Sequence, residues 1–489
     1  MRSAFNWKLI VFLIGVFLCI ESVFMFLAFL VALRYNEYDC PYLLASTLIT
    51  VVAGVLSMLA GYRYTTKMDK RVGILTITIV WLLFSLFGTL PFWLSGAIPS
   101  FTDAFFETMS GVTTTGASVL TNIEALPHGL LFWRSLTQWI GGMGFVLMSM
   151  AILPFLNGDM QLFSAEATGP IQDKLQPRIK ATARRLWVLY VVLTLLAMGL
   201  LWLGGMSFFD ALCHSLTTLS TGGYSTKQSS IAYWDSPFIQ YVIIVFMFIG
   251  GTKFILLYLA MIKGKVKRLL QDEEFKCYAL VVLFTTIIIA IIVACTTHVN
   301  TLSQCERTFR DSLFQVVSII TTTGFSTYDY QLWNKTAWIF ILLLMFVGAS
   351  SGSTSGGLKL SRIVILMKNS FYEFKRRLHP NAYLPIKMNE HVIPESVVNS
   401  IFSFLVIYTF MILIGLVSLL LMGLSPSEAL SVSVSMLANV GPALGDFGPS
   451  GTFLALPAAA KWVSAFLMLI GRLELFTVLF LFSPSFWKR

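Results

Sequence analysis

Four stretches of this chain carry the residue types that could strip water from a small cation. They are "SFTDAFFETMSGVTTTGAS" (100–118), "SFFDALCHSLTTLSTGGYS" (207–225), "TFRDSLFQVVSIITTTGFS" (308–326) and "SPSEALSVSVSMLANVGPA" (425–443), and they align without gaps. Each opens with Ser or Thr and has an acid three residues later: Ser100/Asp103, Ser207/Asp210, Thr308/Asp311 and Ser425/Glu428. That is the spacing of a helix N-terminal capping box. Thirteen residues after each acid stands a glycine: Gly116, Gly223, Gly324 and Gly441. Before them lie Thr114 and Thr115, Thr221 and Gly222, Thr322 and Thr323, and Asn439 and Val440. A capped helix of about 12 residues rises roughly 18 Å, and an acid suits its positive end. The Thr/Gly segment after it suits extended backbone, because glycine reaches angles that other residues resist. Four such segments around one axis would stack rings of carbonyl oxygens, which replace the hydration shell of an ion. An outer loop with turn residues is the plain reading of any one stretch. Four gapless copies, each between apolar runs, argue against it.

The elements that must position these stretches are membrane helices. The chain has 489 residues, 56% hydrophobic and 12% charged, with a mean hydropathy of +0.79. A spanning helix takes about 20 apolar residues. Runs of that size occur near 9–33, 42–62, 72–95, 131–156, 184–205, 237–262, 277–297, 397–423 and 457–482, and a tenth from Lys335 is interrupted. The first follows "MRSAFNWK"; it is too long for a signal peptide and is read as a retained helix. The six cysteines (Cys19, Cys40, Cys213, Cys277, Cys295 and Cys305) show no paired spacing. Of the 34 Lys and Arg, 25 fall in alternate segments starting with the N-terminus and seven on the other side. This places both termini in the cytoplasm and argues against nucleic acid as the reason for the net charge of +10. Twelve of the 24 acids lie on the outer side, where they would concentrate cations.

The four units, with "TTTGAS", "TGGYST", "TTTGFST" and "NVGPALG" as their loops, resemble the Trk/Ktr/HKT superfamily of potassium transporters over nearly the whole chain. Two extra N-terminal helices favour the Trk type (TrkH-like). The implied fold is an all-α polytopic membrane protein with four pseudo-symmetric helix–re-entrant loop–helix repeats around a central pore. Boundaries are placed at 1–71 for the two extra helices, then 72–160, 161–270, 271–375 and 376–489 for repeats one to four. The resemblance implies that one glycine per repeat sets the filter and that glycine in all four places goes with potassium, with rubidium as surrogate. It also implies a bacterial cytoplasmic membrane and no organic cofactor on this chain. The fourth loop departs most, with Asn439, Val440 and Pro442 in place of Thr-Thr-Gly-aromatic.

Below the filter, "WIFILLLMFV" (338–347) runs into Gly348, Ala349, Ser350, Ser351, Gly352, Ser353, Thr354, Ser355, Gly356 and Gly357. Thirteen helical residues from Lys335 rise only about 20 Å, so this Gly/Ser segment is expected inside the membrane as a movable gate. A linker after a short helix is the plain alternative. Arg472 replaces the small residue of "WIGG" (139–142), "FIGG" (248–251) and "FVGA" (346–349). A charge there faces water or a partner, and pointing inward it would oppose cation passage. An ion pair with a neighbouring acid is the structural alternative; Lys253 could play either part. Glu21 is expected to be a helix–helix polar contact.

"KGKVKRLLQDEE" (263–274) and "KNSFYEFKRR" (368–377) read as topology signals and lipid headgroup contacts. The resemblance adds a homodimer and a cytoplasmic nucleotide-binding regulatory ring (TrkA-like). No Gly-x-Gly-x-x-Gly or Walker motif is present in this chain. Alternatives are a sodium-preferring or ion-coupled symporter of the same fold and an intramembrane hydrolase using Ser353. The hydrolase would need a base at similar depth, and His214 is expected on the outer half.

Overall fold

The structure, a computed structural model, describes residues 6–62, 70–152, 179–297, 301–381 and 384–487. Part of the basic segments that set topology (1–5, 63–69, 153–178 and 488–489) lies outside the described residues, as does the boundary placed at 160.

Two antiparallel helices, Trp7–Tyr35 and Cys40–Ala60, lead the chain. The first ends where Asn36 turns left-handed (φ 54°) and its N–H caps the Ala32 and Leu33 carbonyls. The pair closes on glycines: a Cβ on Gly15 would strike the Gly54 carbonyl, and one on Gly54 would strike Cys19. Small residues at a crossing let backbones approach, the usual basis of helix association in lipid.

Four units follow, each with an outer helix, a short helix and an inner helix. In unit one these are Lys70–Gly88, Phe101–Val112 and His128–Ile152. In unit two they are Ile179–Leu203, Phe208–Leu219 and Pro237–Gly250, continued by Phe254–Met261. Unit three has Glu273–Thr297, Leu302–Ile320 and Lys335–Phe346, then a loop and Leu360–Leu378. Unit four has Glu395–Leu421, Pro426–Ala438 and Ala458–Arg472, continued by Phe476–Phe482. Among the described residues six helices are long and apolar enough to cross a membrane, and up to eight if each bent pair is one span. The protein is a multi-pass membrane protein.

Three short helices begin at the expected caps. Ser100, Ser207 and Ser425 each accept the N–H of the acid three residues on. The third does not. Its helix starts at Leu302, where Thr301 and Gln304 form a full capping box, so Thr308 and Asp311 lie inside it. No glycine or proline interrupts 302–311, and the stronger upstream signal sets the start.

The apolar runs 237–262 and 457–482 read as straight spans, but they are bent by 110° and 111°. The first break falls after Gly250 and Gly251; the second has Glu474 (φ 55°) and Leu475 (φ 48°) left-handed. Before the unit-four outer helix a small hairpin pairs Lys387–Met388 with His391–Val392. Its turn residues Asn389 and Glu390 both have positive φ, the geometry that matches strand twist.

Glu21 is fully buried against Gly88, and among the described residues neither carboxyl oxygen has a hydrogen-bond partner. The expected polar contact is therefore absent there.

Candidate functional site

The four short helices end in one repeated piece of backbone chemistry. The N–H groups of Thr115, Gly222, Thr323 and Val440 reach back to the carbonyls of Ser110, Thr217, Ser318 and Ser435 at 2.8, 2.9, 2.8 and 2.9 Å. The preceding N–H groups, of Thr114, Thr221, Thr322 and Asn439, reach Gly111, Thr218, Ile319 and Met436 at 2.9, 3.1, 3.0 and 3.3 Å. This double bond pattern satisfies carbonyls that a helix end leaves orphaned, and it requires a left-handed residue. The left-handed residues are Thr114 (φ 54°), Thr221 (53°), Thr322 (56°) and Asn439 (57°). Threonine is β-branched, so three of the four turns hold strain that only over-determined surroundings maintain.

Two residues later each chain straightens through Gly116, Gly223, Gly324 or Gly441, at φ of 88°, 80°, 79° and 102°. A Cβ on Gly116 would overlap the carbonyl oxygen of Gly222. One on Gly223 would overlap that of Thr323, one on Gly324 that of Val440, and one on Gly441 that of Thr115. The clashes run from unit one to two, three, four and back to one, so the four loops close a ring. Thr114, Thr115, Thr221, Gly222, Thr322, Thr323, Asn439 and Val440 are all buried in or beside it. Unit four departs in sequence but keeps the backbone. Asn tolerates the left-handed region, and the Asn439 amide donates to Thr115 Oγ1 at 3.0 Å and to the Met468 carbonyl at 2.9 Å.

The helix-cap acids tie the rim to the loops. Asp210 and Asp311 accept the hydroxyls of Thr226 and Thr327 (3.0 Å for the latter), so Asp311 keeps this link although it caps nothing. Asp103 pairs with Lys461 of unit four at 2.6 Å. Glu428 accepts the Ser425 hydroxyl and the Asp446 N–H; the Ser425 bond above all holds its carboxyl below the usual range.

The Gly/Ser segment 348–357 passes beneath this ring and is largely buried. Ser350 N–H donates to the Gly251 carbonyl at 3.0 Å, and Thr354 Oγ1 donates to Leu219 and Gly250 carbonyls at 3.0 and 3.1 Å. Gly356 N–H donates to Thr322 Oγ1 at 2.7 Å, directly under the third loop. The loop thus fills the bend of unit two and reaches the feet of units three and four. Arg472 Nη1 donates to the Thr354 carbonyl at 2.8 Å, and Nη2 to the Gly141 carbonyl at 2.8 Å. It crosses from unit four to the loop and to unit one, through backbone carbonyls.

The family model for TrkH, described as a cation transport protein, matches residues 43–489. The chain belongs to the TrkH family. It is 36% identical over 486 residues to the Trk system potassium uptake protein TrkH of Escherichia coli (strain K12), covering 99% of this chain and all of that one. It is 32% identical over 489 residues to TrkG of the same organism, covering 98% and 99%. The crystal structure of the potassium transporter TrkH from Vibrio parahaemolyticus superposes with a TM-score of 0.90, at 32% identity over 99% of this chain and 100% of that one. The TrkH family consists of transporters, not enzymes.

The hydrolase constellation does not assemble. His214 is buried between the Asp210 carbonyl (2.8 Å) and Ser225 Oγ (2.9 Å), whereas Ser353 Oγ bonds the Ser350 carbonyl and Ser355. Sequence reasoning missed a cluster behind loops one and two. Arg134, one of the seven basic residues assigned to the outer side, is buried; it pairs with Glu107 at 2.7 Å, lies over the Tyr224 ring at 3.5 Å and donates to the Ser225 carbonyl. Glu107 also accepts the Val119 N–H and Ser118 hydroxyl, and Gln138 holds Gly222 and Tyr224. The available signal was a charge in the middle of the first short helix, at 107, and another in the apolar run 131–156, at 134; charges at membrane depth usually face a partner, a cavity or backbone carbonyls.

Proposed function

We propose that this chain takes up potassium across a bacterial cytoplasmic membrane through the ring at Gly116, Gly223, Gly324 and Gly441. The observation that carries the reading is the closed cycle of glycine-to-carbonyl approaches among the four units. In that ring carbonyls of residues 114–116, 221–223, 322–324 and 439–441 stand in for water around the ion. Potassium is the cargo, and entry down a negative-inside potential gains about 2.3 kcal/mol per charge per 100 mV, so no energy-coupling site is required in the chain. The loop 348–357, held by Arg472, is the gate beneath the ring. Both termini face the cytoplasm.

A cytoplasmic nucleotide-binding ring and a second copy of the chain are the proposed partners. Supporting this, the helix Leu360–Leu378 exposes Met367, Phe371, Phe374 and Leu378 at helical spacing, beside Lys375, Arg376 and Arg377. An exposed apolar stripe of this kind is what a partner surface covers.

The test is rubidium uptake into vesicles containing the purified chain, with and without Gly116→Ser. Uptake by the parent, blocked by potassium and reduced or made sodium-tolerant by the serine, is expected. Equal uptake by both, or none by either, removes the ring assignment.

A further inference from the structure

Glu274 stands at the start of the unit-three outer helix, with its side chain buried. Its Oε1 accepts two N–H groups from elsewhere, Ser351 at 2.6 Å and Ser361 at 3.2 Å. Ser351 lies in the first half of the Gly/Ser loop, next to left-handed Gly352 (φ 70°). Ser361 is in the first turn of Leu360–Leu378, whose N-cap residue Lys359 supplies no side-chain cap. The hydroxyls of Ser351 and Ser361 also touch each other. One carboxylate therefore ties the loop's descent to the helix that follows it, and it faces that helix's positive end.

The residues beside Glu274 face the other way, into the small hairpin. Asn389 Oδ1 accepts the Glu273 N–H at 2.9 Å, its amide donates to Asp272 at 2.7 Å, and its own N–H donates to Glu273 at 3.2 Å. Lys368, two turns along the helix from Ser361, pairs with Glu273 and donates to the Lys387 carbonyl at 2.8 Å. The three-residue turn Asp272-Glu273-Glu274 thus has one hand on the hairpin 387–392 and the other on the loop.

We propose that Glu274 is the positioning residue that latches the Gly/Ser loop across the pathway, and that the turn 272–274 is the lever by which displacement of the hairpin releases it. This rests on the gate reading above. A partner pressing on the hairpin would then act on the loop without touching it, through two charge-assisted contacts of the stronger kind.

The experiment is radioactive rubidium uptake by the full chain in vesicles, comparing the parent with Glu274→Ala, Glu274→Gln, Asn389→Ala and Arg472→Ala, with thermal melting and rubidium half-saturation for each. Glu274→Ala is expected to raise uptake by about tenfold, from the loss of hydrogen bonds to a charged group. Glu274→Gln keeps an accepting oxygen without the charge and falls between, and Asn389→Ala gives a rise of roughly twofold to threefold. Half-saturation and rubidium-over-sodium preference stay at parental values. The Glu274→Ala/Asn389→Ala double variant exceeds Glu274→Ala little, because both release one latch. If Arg472→Ala raises uptake and Glu274→Ala does not, the latch is wrong and the gate stands. If neither raises it, the gate reading falls and takes the latch with it. Should Glu274→Ala fail to fold, Glu274→Gln decides: parental uptake overturns the proposal.

Discussion

The outer ring and the inner-helix ends of this protein follow opposite rules. Around the ring all four units hold the same backbone, with a left-handed residue followed two positions later by a positive-φ glycine, even where unit four substitutes Asn439 and Val440. Below it no two inner-helix ends are made from the same residues. Unit one runs on to Ile152, units two and four bend by 110° and 111°, at Gly251 and after Arg472, and unit three dissolves into 348–357. A cage of carbonyls acts on an ion equally from every side only if its walls are equivalent. A gate needs one wall that differs from the others, because a loop can move only where its neighbours leave it a bend to fill. On the proposed reading, the symmetric half chooses the ion and the asymmetric half admits it.

That contrast can be broken most sharply at the ring. Alanine at Gly223, and in turn at Gly116, Gly324 and Gly441, adds a Cβ both at a disfavoured φ and against a neighbour's carbonyl. Strain and overpacking together cost about 2–6 kcal/mol, and rubidium uptake should fall by at least tenfold in all four. A tolerant Gly441→Ala would show that the fourth wall is not equivalent.

Arg472→Ala, in the asymmetric half, should instead raise basal uptake several-fold while leaving the rubidium-over-sodium preference intact, since it removes bonds to the Thr354, Gly141 and Gly142 carbonyls, which lie outside the ring residues. A change in preference would blur the division between the halves.

Asn439→Gly sharpens the comparison within the ring. It keeps the left-handed turn and loses the amide bonds to Thr115 and Met468, so stability should drop by about 1–3 kcal/mol in thermal melting with preference for rubidium weakened. Asn439→Ala should be worse, because it loses the turn as well.

A smaller effect concerns the outer rim away from both halves. Burial first, then the Glu37 carboxylate, push Asp39 up to about 6 from its ordinary 3.8, with Tyr38 and His128 the other titratable groups nearby. The folded chain keeps a proton there that the unfolded chain releases. Stability from this site is therefore greatest below about pH 4 and declines as pH rises toward 6. Melting temperature against pH should show that decline in the parent and a flatter profile in Asp39→Asn.

The smallest effect is expected at Glu21, whose unpartnered carboxyl costs desolvation. Glu21→Leu should raise the melting temperature by a few degrees, since replacing an unsatisfied polar group with an apolar one is neutral or stabilising.

Much of the ring was legible because its chemistry is local. The serine-to-acid spacing, the threonines and the thirteenth-residue glycine each act within one helix and its turn, so a gapless alignment exposes them. The unit-three cap was misplaced for the same reason: Thr308 and Asp311 fit the pattern, but an uninterrupted helix with a better box upstream absorbed them. The 110° bends were not legible, because Gly-Gly and Leu-Glu-Leu allow a break without demanding one. In unit two the bend is occupied by the loop, whose Ser350 N–H and Thr354 hydroxyl bond the Gly251 and Gly250 carbonyls.

By itself the sequence determined how many units there are, where each places its glycine, and that the whole belongs in a membrane. These follow from side-chain polarity and backbone sterics, which need no partner. Only the tertiary structure decided which carbonyl each glycine meets, that Arg472 grips Thr354 and Gly141, that Glu107 and Arg134 neutralise each other, and that Glu274 serves a loop 77 residues further along the chain. Those contacts join groups far apart in the chain, and their pairing is fixed by packing, on which linear spacing is silent.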